Sequence, residues 1–148
     1  LGVASLRDAD TELLEAAKNS LSENEYKRAR HIISENARTT AMFDALAKGD
    51  MAQVSQLMAE SHISMRDDFE ITVPPIDFLV EIIQQEIGKT GGVRMTGGGF
   101  GGCVVALLPK NLLLGVTKQV EDKYYARTGL KQKVYICTTN QGAFDENT

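Results

Sequence analysis

Five glycines fall among the six residues Gly97 to Gly102, within the run Arg94-Met-Thr-Gly-Gly-Gly-Phe-Gly-Gly-Cys-Val-Val-Ala-Leu-Leu108. Glycine at that density weakens any helix or strand it interrupts. It is useful where the backbone takes positive φ or where another group must approach bare peptide. The N–H groups of such a loop can form a concavity that binds an anion. Gly97, Gly99 and Gly102 satisfy the dinucleotide pattern G-x-G-x-x-G, but that fingerprint requires a helix at its end. Here Cys103 to Leu108 is a short apolar run of β-formers closed by Pro109, which predicts strand–loop–strand. No Lys-Ser or Lys-Thr follows the glycines, so a Walker A loop is excluded. A plain hairpin turn stays open, although such turns usually need only one or two glycines.

Other residues have types that could do chemistry. Ser61, His62 and Ser64 are the ingredients of a hydrolase, but neither serine lies in a G-x-S-x-G elbow. They are expected to organise structure beside the glycine loop. His31 and Glu35 lie one helical turn apart, as do Asn36 and Thr40, and read as solvated or locally paired positions. Arg66, Asp67 and Asp68 read as ion pairing or wall support. Arg94 and Thr96 are two apart on a strand and share a face. For Arg94, contact with phosphate, contact with a facing lobe and an internal salt bridge all remain open. Cys103 and Cys137 sit in apolar runs and are expected to be reduced and buried. No metal-ligand spacing is present, and the chain has two histidines.

The chain must position these residues in one compact domain, for which 148 residues suffice. Hydrophobic content is 43% and charged content 24%, as in ordinary globular proteins. A net charge of −4 argues against a nucleic-acid surface, which needs a basic patch. No apolar run approaches membrane-spanning length, and no secretory signal is visible.

Asp10 or Thr11 can cap a first helix. A second is predicted from about Glu23 to Lys48, with Ala29, Ile32, Ile33, Ala37, Ala41 and Met42 at helical period. Gly49 ends it and Asp50 can cap a third helix carrying Val54, Leu57 and Met58. Asp67 to Val73 reads as extended or irregular before Pro74-Pro75. A fourth helix places Ile76, Leu79, Val80, Ile83 and Ile87 in register and stops at Gly88. Strands Val93 to Thr96 and Cys103 to Leu108 follow. Asn111 can cap a fifth helix that ends at Gly129, and a last strand is expected at about Gln132 to Thr138. Helices followed by β-β-α-β predict an α+β domain, with helices packed on a mainly antiparallel sheet.

Gly91-Gly92-Val-Arg-Met-Thr-Gly-Gly-Gly-Phe-Gly-Gly-Cys103 closely resembles the third motif of the GHMP small-molecule kinases, and within them the galactokinase family. His31-Ile-Ile-Ser-Glu-Asn-Ala-Arg38 agrees, as does Met58-Ala-Glu-Ser-His-Ile-Ser-Met-Arg-Asp-Asp-Phe69, which runs on to Val73-Pro74 and Asp77. Gln141-Gly142-Ala143 also fits. The resemblance extends from about Leu6 to Ala143 and departs at Pro75, where many relatives carry a polar residue.

The resemblance implies the ferredoxin-like C-terminal domain of a GHMP kinase over residues 1–148, with extra N-terminal helices. It also implies that the lobe carrying the sugar signature, the ATP phosphate loop, the catalytic Asp and the Mg²⁺ ligands lies outside this chain, so the chain contributes neither a catalytic residue nor a metal ligand. In the complete enzyme, ATP with Mg²⁺ phosphorylates galactose at C1, in the cytoplasm. Thr96, Gly97, Gly98, Gly99, Phe100, Gly101 and Gly102 would line the cleft. Phe100 would anchor the turn in an apolar pocket. Arg94, Ser61 and His62 would support the wall. The chain alone would be inactive, would bind neither ATP nor Mg²⁺ tightly, and could self-associate through its exposed inter-lobe face. A non-catalytic, galactose-sensing regulatory relative is the alternative.

Overall fold

A computed structural model describes residues 1–138. Five α-helices and one hairpin are formed: α1 (Thr11–Ala17), α2 (Glu23–Lys48), α3 (Met51–Asp67), α4 (Pro74–Ile87), β1 (Gly92–Thr96), β2 (Cys103–Leu107) and α5 (Leu113–Thr128). The helix ends follow local chemistry. Asp10 and Asp50 accept from the backbone N–H groups of Leu13 and Gln53, so each satisfies an otherwise orphaned donor. Ser22 and Glu25 close a reciprocal capping box at the start of α2. Gly49 ends α2 at φ 67° in the left-handed region, where a side chain would be strained. Pro74 and Pro75 stand in the first turn of α4, where a missing N–H costs nothing.

β1 and β2 pair antiparallel, from Gly92 opposite Leu107 to Thr96 opposite Cys103. Val93 and Met95 therefore share one face, with Gly92, Arg94 and Thr96 on the other. Val93 packs with Val80, Ile83 and Ile87 of α4 and with Val116, Val120 and Tyr124 of α5. Met95 joins Met65 of α3 and Ile76 of α4. Each fully buried aliphatic side chain in this core contributes about 1.5–3 kcal/mol. α3 lies against β1 along its free edge, where the Met95 N–H donates to His62 and a Cβ on Gly92 would come within 2.6 Å of Met58 Sδ. The architecture is α+β: a helix-rich domain on an antiparallel hairpin, with α1 and α2 as the additional N-terminal helices. Among the described residues no helix is long and apolar enough to cross a membrane.

Four local expectations are corrected. Residues 132–138 form no strand, and Val134, Tyr135 and Ile136 are exposed; β-forming side chains do not make a strand without a partner to complete the ladder. Cys103 and Cys137 are both exposed rather than buried, because Cys103 points off the uncovered face of β2 and Cys137 lies in that unpaired stretch. Asn111 does not cap α5: a 3₁₀ turn at Lys110–Leu112 leads directly into it. On α2, Ala37 is exposed, and Ala45 is the fully buried alanine instead. Gln141-Gly142-Ala143 lies outside the described residues.

Candidate functional site

The glycine loop joins β1 to β2. Gly97, Gly99, Gly101 and Gly102 all take positive φ, and so does Phe100 at 57°. Gly99 is also needed for space, because a Cβ there would sit 2.7 Å from Ile71 Cβ and 2.8 Å from its carbonyl oxygen. Gly98 has neither reason: it lies outside the left-handed region, and a Cβ would meet nothing within 4 Å. The N–H of Phe100 donates to the Ile71 carbonyl at 2.6 Å, and among the described residues it is the one amide of Gly97–Gly102 with a backbone acceptor. Phe100 does not fill a pocket as expected. Its ring is 75% exposed, because the loop is fastened through its backbone rather than through that side chain.

At the base of the loop, Arg94 forms an internal polar cluster. Its Nη1 donates to Ser61 Oγ at 2.7 Å and lies 3.4 Å from Glu35 Oε2. The Ser61 hydroxyl donates to the same Glu35 oxygen at 2.8 Å, so its own oxygen is free to accept from Arg94. Arg38 Nε donates to the other Glu35 oxygen at 2.5 Å. One carboxylate therefore bridges α2, α3 and β1. Thr96 is half-buried at the end of this strand.

His62, next to Ser61 on α3, is buried and seals the outer edge of β1. Its Nδ1 accepts the Met95 backbone N–H at 3.3 Å, which requires that nitrogen to be unprotonated and places the proton on Nε2. Nε2 faces Asp77 Oδ1 at 3.2 Å, close but misaligned for a hydrogen bond. His31 is buried too. Its Nδ1 lies 2.9 Å from Ser64 Oγ, and Ser64 donates to Asp68 Oδ2 at 3.1 Å. Ser64 has a single proton, so His31 must be the donor on its other side. The His31 ring stacks on Phe69 at a centroid distance of 4.5 Å. Arg66 pairs with its neighbour Asp67 at an exposed position.

Burial, the largest influence, holds the pKa of both imidazoles below the ordinary histidine value. An unfolded chain then takes up protons at higher pH than the folded one. The stability these two neutral rings contribute is complete above about pH 6.5 and is lost as pH falls below it. Urea unfolding midpoints should decline between pH 7.5 and 5.5. A midpoint that holds level or rises over that interval would contradict two buried neutral histidines.

Residues 42–126 match the family described as GHMP kinases C terminal. The chain belongs to that family. It is also similar to the crystal structure of Lactococcus lactis galactokinase complexed with galactose, with 34% sequence identity and a TM-score of 0.81 over 88% of this chain. The chain spans 34% of the length of that enzyme.

Within this GHMP kinase domain, the structure brings Arg94, Ser61 and Thr96 together at the base of the glycine loop, with His62 on the edge of the same strand. Sequence reasoning read His31 and Glu35 as solvated or locally paired; Glu35 does pair locally with Arg38, but the contacts of both residues to α3 were missed. A signal for them exists in α2. His31, Glu35, Arg38, Met42 and Ala45 fall at spacings of four, three, four and three, a single stripe of the helix. Ala45 at its lower end is fully buried, so polar residues higher on that stripe are drawn toward the interior and require partners.

Proposed function

We propose that this domain is the C-terminal lobe of an ATP-dependent galactokinase, with residues 1–148 forming one wall of the active-site cleft through Thr96 and the Gly97–Gly102 loop. The observation that carries the reading is Gly98, whose lack of a side chain serves nothing in the chain's own fold. A glycine without an internal reason points to a group from outside that approaches bare peptide. The loop's amide N–H groups, all but that of Phe100 without a backbone acceptor, suit phosphate oxygens. The similarity to a galactokinase complexed with galactose supports a sugar, galactose, as the substrate.

In the reaction, the C1 oxygen of galactose forms a bond to the γ-phosphorus of ATP while the bond to the bridging oxygen of ADP breaks. Such a transfer depends chiefly on positioning and on stabilising charge on the equatorial oxygens. This lobe contributes the wall and its backbone dipoles. By family resemblance, the base that takes the hydroxyl proton is an Asp of the other lobe. Among the described residues no three His, Cys, Asp or Glu side chains converge on one point; by family resemblance the Mg²⁺ ligands belong to the other lobe, and no step here runs through the metal. Arg94, Ser61, His62 and Glu35 support the wall. Cytoplasmic location, and self-association of the chain through its exposed inter-lobe face, belong to the same reading.

The test is sugar-dependent ADP release by the enzyme that contains this chain, with galactose compared against glucose, mannose and mevalonate. Turnover with galactose alone is the expected result. Galactose binding without ADP release would favour the regulatory reading, and turnover with another acceptor would overturn the substrate assignment.

A further inference from the structure

The tip of the glycine loop hangs on one short segment, residues 68–71, and that segment is gripped from the far side by α2. Ile71 supplies both contacts to the loop: its carbonyl receives the Phe100 N–H at 2.6 Å, and its side chain fills the space a Gly99 side chain would need. Immediately before it, Glu70 is a non-glycine residue at φ 56°, a conformation that persists only where the surroundings impose it. Two helices impose it: at the end of α3 the carbonyls of Ser64 and Met65 accept the N–H groups of Phe69 at 2.9 Å and Ile71 at 3.0 Å, and side chains of α2 hold the same segment. Arg28 reaches across with two prongs, one nitrogen donating to the Asp68 carbonyl and the other to Glu70 Oε2 at 2.7 Å. Arg30 pairs with the Asp68 carboxylate, and His31 stacks on Phe69.

We propose that Arg28 and Glu70 are positioning residues of the glycine loop, acting through the backbone of Ile71. Their functional consequence rests on the reading of the loop as a cleft wall, but the mechanical claim stands or falls separately. Arg28 and Glu70 are partly exposed, at 38% and 47%, and an exposed ion pair adds little to global stability. What the pair fixes is where the 68–71 backbone sits. Releasing Glu70 allows it to leave the left-handed region, which rotates the following peptide and moves the Ile71 carbonyl away from Phe100.

The experiment is backbone amide hydrogen exchange of this chain, resolved by NMR, in the wild type, Arg28→Met and Glu70→Ala, the last of which removes the carboxylate but keeps the Cβ that strains a positive φ. The core amides of Ile83 and Val120 serve as internal references for global opening. The Phe100 amide should be protected in the wild type and exchange at least about tenfold faster in both variants, with the references unchanged, as expected for local rather than global opening. Should Arg28→Met fail to fold, Glu70→Ala decides alone, since it leaves the bond from Arg28 to the Asp68 carbonyl in place. An unprotected Phe100 amide in the wild type, unchanged protection in the variants, or a loss spread equally over the references would each overturn the proposal.

Discussion

Replacing Gly98 with valine in the enzyme that contains this chain should lower kcat at least tenfold and leave its melting temperature within a few degrees of wild type, a rate loss of about 1.4 kcal/mol or more in activation free energy. The asymmetry follows from the geometry. Gly98 has ordinary backbone φ and open space where a Cβ would go, so the domain itself has no reason to reject a side chain. Exposed substitutions of that kind usually change stability by less than about 0.5 kcal/mol. The β-branched group would project into the space the reading assigns to phosphate and sugar, and phosphoryl transfer tolerates little displacement. Gly99 cannot serve this test. Its φ of 86° and its contact with Ile71 mean that any side chain there disturbs the fold first. Gly101 has open space around it, but its φ of 133° alone strains any side chain. Parallel kinetics and thermal unfolding of Gly98→Val and Gly99→Val should therefore separate: the first folded and slow, the second destabilised by about 1–3 kcal/mol. Normal kcat and KM in Gly98→Val would reduce the loop to a turn.

Removal of the Glu35 carboxylate should be the most damaging single polar change in the domain. Glu35→Ala leaves Arg38, Ser61 and Arg94 without their shared acceptor. Breaking a fully buried pair costs about 3–5 kcal/mol. Here the side chains of Glu35 and Arg94 keep 24% and 34% exposure, so water recovers part of the loss. An expected cost of about 2 kcal/mol remains, which lowers the melting temperature by roughly 8 °C for a domain of this size. Glu35→Gln keeps an acceptor oxygen and the same shape, and should cost less than half as much. Urea and thermal unfolding of the two variants check this. An alanine variant that loses under about 0.5 kcal/mol would mean that the cluster acts as an ordinary surface network.

The elements that could be read in advance are those whose causes are local. α2 begins at Glu23 and ends at Lys48, where Ser22, Glu25 and Gly49 place those limits. The same holds for Asp50 before α3 and for Gly88 and Gly129 after α4 and α5. What escaped depends on partners distant in sequence. Residues 132–138 have the composition of a strand but pair with no strand among the described residues. Phe100 has the composition of an anchor, yet the loop hangs from the Ile71 carbonyl, and no property of the sequence around position 100 announces that contact. His31 and Glu35 are surface-like residues that become interior when α3 crosses α2 and brings Ser64 and Ser61 to meet them. At the candidate site, the glycine run and Arg94 were legible as a unit. The arrangement that holds them, through Glu35 on one side and Ile71 on the other, required the tertiary structure.

The central claim is that this domain is one half of a kinase active site, a wall that does no chemistry unaided. The direct measurement is formation of galactose 1-phosphate from galactose and ATP, followed by phosphorus NMR, first with the purified chain alone and then after adding the separately produced remainder of the enzyme. The chain alone should match a blank without protein, and the mixture should turn over at a rate that rises with the concentration of either part. Turnover by the purified chain alone would contradict the account.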